Sequence, residues 1–165
     1  MHLFDEKFKL DLYGRAEQSS RLRAHFNIHN DFHDPVQRLA IALLHGTYIP
    51  PHKHTQNHQW EFFHVIEGEV KLITFSEQGT VINTYLLGEN HNNFAVQLPS
   101  NILHTLVCIS SRAFIFEWKE GPFHSKTAKV IPSWSIAEND KDNIFIIKKL
   151  ENIIVGDNLN CQKAV

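Results

Sequence analysis

Only two cysteines occur in the 165 residues, Cys108 and Cys161, and they share no metal or redox spacing. A disulfide framework and a thiolate metal site are thereby excluded, and free thiols in a reducing compartment are expected. No apolar run approaches the ~20 residues a membrane helix needs, so no membrane role is expected. The opening stretch, MHLFDEKFKLDLYGR, carries charges throughout and lacks the apolar core of a signal peptide, which gives a cytoplasmic expectation. A basic block is also missing. With 16 Lys and Arg against 18 Asp and Glu, the net charge is −2, and nucleic-acid binding is excluded as a principal role. Hydrophobic residues at 42% and charged residues at 21% fit one globular domain large enough to bury a core.

Histidine, in contrast, is plentiful, with 12 in the chain. The informative stretch is GTYIPPHKHTQNHQWEFFHVIEG, from Gly46 to Gly68. If the segment around His52 and His54 is extended, alternation points both imidazoles the same way. Glu61 opens the following apolar run, and His104 lies downstream in LPSNILHTLV. Three imidazoles and a carboxylate suit Fe(II), Mn(II), Ni(II) or Zn(II), and leave coordination positions open for water or substrate. In a chain this rich in histidine, however, an HxH pair also arises by chance. Alternation from Glu61 puts Phe63 and Val65 on its face and His64 on the other.

These spacings resemble the two motifs of the cupin superfamily. Gly46 precedes His52 by five residues and Glu61 precedes Gly68 by six, although six residues rather than three or four separate His54 from Glu61. The family's shorter spacing would place the third ligand at His58, which stands as the alternative to Glu61; the distance to Gly68 and the start of the strand favour Glu61. In the second motif Pro99 and His104 fit, Asn93 and Asn101 occupy glycine slots, and Cys108 occupies the final asparagine slot. Asparagine best tolerates the left-handed backbone those slots require. RLRAHFNIH, DPVQRL, TYIPPHKH, WEFFHVIEGE, FEWKEGPF and the late PSW further resemble, in order, the WbuC family of cupin-fold metalloproteins. The resemblance covers roughly residues 3 to 137 and stops before the tail. It implies an all-β, single-domain cupin, a jelly-roll (double-stranded β-helix) barrel, holding a divalent metal on His52, His54, Glu61 and His104. It also implies an association with surface-polysaccharide synthesis. The reaction is left open among sugar isomerase or epimerase-like chemistry, dioxygenase-like chemistry at iron, and a non-catalytic metal or carbohydrate-binding module.

Along the chain, Leu3, Phe4, Phe8, Leu12 and Ala16 keep a helical period, giving a helix over 1–20 that packs on the barrel. The barrel is expected over 21–137 and a C-terminal extension over 138–165. RLRAHFNIH alternates strictly, with Arg21, Arg23, His25 and Asn27 on one face. That face is either a solvated edge or the mouth of the barrel. In the second case these residues, with Tyr48 if the prolines do not shift the alternation, would bind a small anionic sugar derivative. Gln37 and Arg38 open the next strand, and His91 reads as a loop residue. Cys108 should share the face of His104 and Leu106 as a buried structural thiol. A homodimer is left open. In the tail, IFIIKKLENIIV is an apolar-rich element of unassigned type.

Overall fold

A computed structural model describes residues 1–125, 127–140 and 143–159; Cys161 and the end of the tail lie outside them. The order is α1 (Glu6–Glu17), β1 (Arg23–Asn27), β2 (Val36–Leu44), β3 (Glu61–Glu67), β4 (Glu69–Phe75), β5 (Val81–Gly88), β6 (Ala95–Leu98), β7 (Leu103–Cys108), β8 (Arg112–Glu120) and α2 (Asn143–Asn152). The strands form two antiparallel sheets, one of five strands ordered β1-β2-β8-β3-β6 and one of three ordered β5-β4-β7. The two sheets face each other as a jelly-roll barrel.

Period-two alternation decides which side chains fill the barrel. Ile41, Leu43, Phe63, Val65, Leu72, Leu106, Cys108 and Ile115 form the core between the sheets. The intervening residues point outward and are covered by helices. Ala24, Ala40, Ala42 and Phe114 receive Leu12, Tyr13 and Ala16 of α1. Small side chains there allow the helix to approach the sheet closely. Asp5 caps α1, its carboxylate accepting from the Phe8 N–H at 2.9 Å. On the opposite side, Ile73, Phe75, Leu103 and Val107 pack against Ile147, Leu150 and Ile153 from α2 and the residues after it.

A second helix therefore stands where the sequence suggested only an N-terminal one. The stretch IFIIKKLENIIV supplies an apolar face that covers the outer surface of the small sheet. Lys71, buried in β4, fixes the end of this helix by donating to the carbonyls of Leu150, Glu151 and Ile153 at 3.3, 3.0 and 2.7 Å. These carbonyls have no partner within the helix, so the ammonium satisfies the C-terminal end of α2 and its dipole together.

Two expected elements are shorter than their patterns. β1 begins at Arg23, because Leu22 takes a positive φ of 54° and turns the chain. Arg21 consequently lies outside the strand. The segment with His52 and His54 belongs to no ladder; it touches β7 through a single bridge between His52 and His104. Pro50 and Pro51 lack the N–H groups that a longer pairing would require.

Candidate metal centre

Two backbone positions set the geometry. Gly68, at φ 78°, ends β3 where a Cβ would lie 2.2 Å from the Arg112 carbonyl oxygen. Asn101, in a glycine slot of the second motif, adopts φ 65° and donates its N–H to the His54 carbonyl at 2.7 Å. His52 and His104 exchange backbone hydrogen bonds of 3.0 and 2.9 Å. The two motifs are thereby held side by side at the inner end of the barrel.

His52, His54 and Glu61 bring ligand-type atoms within 4.8 Å of one another. His104 joins them through Glu61: its Nε2 lies 3.1 Å from one carboxylate oxygen, and His54 Nε2 lies 3.0 Å from the other. Glu61 and His104 are almost fully buried. His58 is exposed and outside the group, and His64 sits between Phe94 and Trp118 on the outer surface.

The tautomers follow from the partners. Each Nδ1 faces a carbonyl oxygen, which only accepts: His52 that of Pro50 at 2.9 Å, His104 that of Ile102 at 2.9 Å, and His54 that of Ala128. Nδ1 must carry the hydrogen in all three rings, so Nε2 presents a lone pair. At His54 and His104 that lone pair meets carboxylate oxygen, and His54 Nε2, His104 Nε2 and Glu61 Oε2 have no hydrogen-bond partner. Buried acceptors facing acceptors need a cation between them, either a proton that turns one ring into an imidazolium or a metal ion. A divalent ion fits this donor set, with the carbonyls acting as the outer support that fixes each ring.

The charge states follow from the same contacts. Burial pushes the Glu61 carboxyl up, but His104 and His54 more than offset it and hold the group well below its usual range. Burial, reinforced by the neighbouring His104, pushes His52 down to about 3. Burial also lowers His104, yet Glu61 outweighs it and leaves this ring raised.

The centre opens on a cavity of about 380 Å³. Its aliphatic wall includes Leu39, Ile41, Ile49 and Ile115, and Arg23, His25 and Asn27 contribute from β1. Arg23 is buried and held by protein: it donates to the Tyr48 carbonyl at 2.9 Å and pairs with Glu138. Arg21 and Tyr48 do not line this cavity; they border a second one beside α2. The alternation of Tyr48 with the histidines is broken by the prolines, and its hydroxyl donates to the Ile136 carbonyl at 3.1 Å. Gln37 lines the cavity, but its amide is committed to the carbonyls of Asp31, Phe32 and Asp34.

Three charged cavity residues were not singled out in the sequence. Lys119 lies 2.8 Å from Glu117 and 3.8 Å from Glu61, and Lys129 lines the opening. The alternation in RAFIFEWKEG placed Glu117 and Lys119 on one face. Only the pairing of Lys119 with both Gln37 and Glu61 shows that this face is the inner one.

A family described as "Domain of unknown function (DUF6016)" matches residues 4–87, about half of the chain, and the chain belongs to that family. No curated protein matches it. Among solved structures it is similar to an oxalate oxidase in complex with the substrate analogue glycolate, at 14% identity and a TM-score of 0.54 over 78% of this chain and 62% of that one. It is also similar to the salicylate 1,2-dioxygenase from Pseudoaminobacter salicylatoxidans in complex with gentisate, at 14% identity and a TM-score of 0.58 over 79% of this chain and 37% of that one. A third is the capsular polysaccharide assembling protein CapF from Staphylococcus aureus, at 15% identity and a TM-score of 0.57 over 68% of this chain and 32% of that one. The chain thus spans less than two thirds of the length of each. These are cupin-fold proteins, and the likeness places this chain in the same fold.

Proposed function

We propose that this DUF6016-family chain is a mononuclear metal cupin that binds, and transforms, a small anionic molecule in its barrel. One observation carries the reading: His54 Nε2, His104 Nε2 and Glu61 Oε2 converge in a buried cluster without hydrogen-bond partners, while backbone carbonyls fix each ring. His52, His54, Glu61 and His104 would hold the ion. When bound, it supplies Lewis acidity or, as iron, redox chemistry to a ligand oxygen. The chain itself contributes the orientation of the rings, the exclusion of water by the aliphatic wall, and positive charge from Lys119 and Lys129. A catalyst and a pure binding module differ in turnover, so product formation from a bound ligand favours the enzyme and saturable binding without product favours the module. Elemental analysis of untagged protein purified without added metal tests the reading. About one transition-metal ion per chain is expected, and its absence, with no uptake on reconstitution, would overturn it.

The second reading is narrower: a phosphorylated or nucleotide-linked sugar as ligand, in surface-polysaccharide synthesis. It is favoured by the ordered WbuC-like segments and by the fold shared with CapF. Arg21 lies outside the cavity and the donors of Arg23 that face Tyr48 and Glu138 are already committed, so in this reading Lys119 and Lys129 recognise the anion.

A further inference from the structure

The cavity beside the metal centre carries charge at one end and hydrocarbon over most of the rest. Lys119 adjoins Glu61, and Lys129 follows Ala128, whose carbonyl holds the His54 ring. Lys119 therefore adjoins a candidate metal ligand, and Lys129 lines the same cavity. The charge of Arg23 is offset by Glu138, Lys119 and Lys129 oppose the carboxylates of Glu61 and Glu117, and a divalent ion adds two further positive charges. Among the described residues no carboxylate lies within ion-pair distance of Lys129. His25 faces the cavity neutral: surrounding protein, with the positive charges of Arg23, Arg21, Lys119 and Lys129, lowers it to about 4.

Away from this end the lining is Leu39, Ile41, Leu43, Ile49, Leu106 and Ile115. Two of the remaining polar groups are engaged by the protein, although His29 Nε2 is buried without a partner. Gln37 is held by three carbonyls, and His29 Nδ1 is shared with the backbone of Arg38 at 3.0 and 3.1 Å. A sugar buries a hydroxyl on nearly every carbon, and each one left without a partner opposes binding. Hydrocarbon against this wall gains instead from the apolar surface removed from water.

Resting on the metal reading above, we propose that the ligand is a small organic acid with an apolar body, an aromatic or branched aliphatic carboxylate. Its carboxylate lies between the ion and the pair Lys119 and Lys129, and its body lies on the wall of Ile41, Ile49 and Ile115. The aliphatic wall selects the body, and the cations select the head.

The test is isothermal titration of metal-loaded full-length protein with four probes: mandelate, lactate, phenylethane-1,2-diol and glucose 6-phosphate. Mandelate is expected to bind at least about ten-fold more tightly than each of the others. Lactate removes the apolar body, the diol removes the charge, and the sugar phosphate keeps charge without an apolar body. K129Q should weaken mandelate by roughly five-fold, with metal content and diol binding unchanged. Glucose 6-phosphate binding as tightly as mandelate, or the diol matching it, would overturn the acid proposal and leave the metal reading intact. Failure of that reading would show separately, as protein that neither contains nor takes up metal.

Discussion

His54 and Ala128, 74 residues apart, are joined by a hydrogen bond from the imidazole Nδ1 to the backbone carbonyl. That contact fixes the ring that points Nε2 at Glu61, and it draws the segment after β8 against the metal centre. His64, close to Glu61 in sequence, has no such role. His54→Ala should therefore lose most of the bound metal, whereas His64→Ala should keep it. Elemental analysis of both variants decides this; equal loss from the two would mean that the assignment of inner and outer faces is wrong.

Acid should act on the metal-free protein and the metal complex separately. His25 and His52 are held neutral, at about 4 and about 3, against an ordinary value near 6.5. Their contribution to stability is complete above the unfolded value and is lost as pH falls towards the folded ones, because the unfolded chain takes up protons first. The melting temperature of the metal-free protein should thus decline from pH 6.5 to 4.5. His104 is raised, so its pairing with Glu61 contributes below its unfolded value and fades as pH rises through the folded one. Metal must displace a proton chiefly at His104, which is raised while His52 stays neutral, so its occupancy should fall as pH drops below about 6.5. Full occupancy at pH 4.5 would exclude His104 as a ligand.

Glu138 holds the buried guanidinium of Arg23. Glu138→Gln removes the counter-charge and leaves the cation in place. Loss of one partner from a buried pair typically costs about 3 kcal/mol, which should appear as a clearly lower denaturation midpoint in urea. Arg21 is exposed and only 3.8 Å from the same carboxylate, so Arg21→Ala should change the midpoint little. Similar losses from both variants would show that the buried pair has no special weight.

Lys71→Met would leave three carbonyls at the end of α2 without their donor. A cost of roughly 1–3 kcal/mol is expected, confined mainly to the docking of that helix. Hydrogen exchange should accelerate in α2 and remain unchanged in β2 and β8. Uniform acceleration throughout the barrel would contradict a local latch.

Burial pushes the Cys108 thiol up to about 12. In a Cys161→Ser variant, Cys108 should therefore stay silent to a thiol reagent until denaturant is added, because the thiolate is the reacting form. Rapid labelling of native protein would show that the strand opens far more readily than its burial implies.

The sequence by itself determined the class of fold and the set of metal-type side chains. Period-two alternation in QRLAIALL and EFFHVIE separates inner from outer residues because a strand turns each successive side chain to the opposite face. It placed Phe63 and Val65 with Glu61, and Cys108 with His104 and Leu106, as the structure does. Of the two asparagines in glycine slots, both readable as left-handed from their chemistry, Asn101 is left-handed at φ 65° and Asn93 is not, so that slot imposes no left-handed backbone here.

Tertiary structure alone decided how these local patterns meet. Alternation carries no information across Pro50 and Pro51 or through the turn at Leu22, so Tyr48 and Arg21 lost the placement their spacing suggested. The face of β8 became the inner one only through pairing with β2 and β3, which brought Lys119 beside Glu61. The apolar run of α2 acquired its role from the uncovered outer face of the small sheet. Above all, the tautomers of the three histidines depend on carbonyls of Pro50, Ile102 and Ala128. The third of these is remote in sequence, and only packing against the barrel brings it to His54.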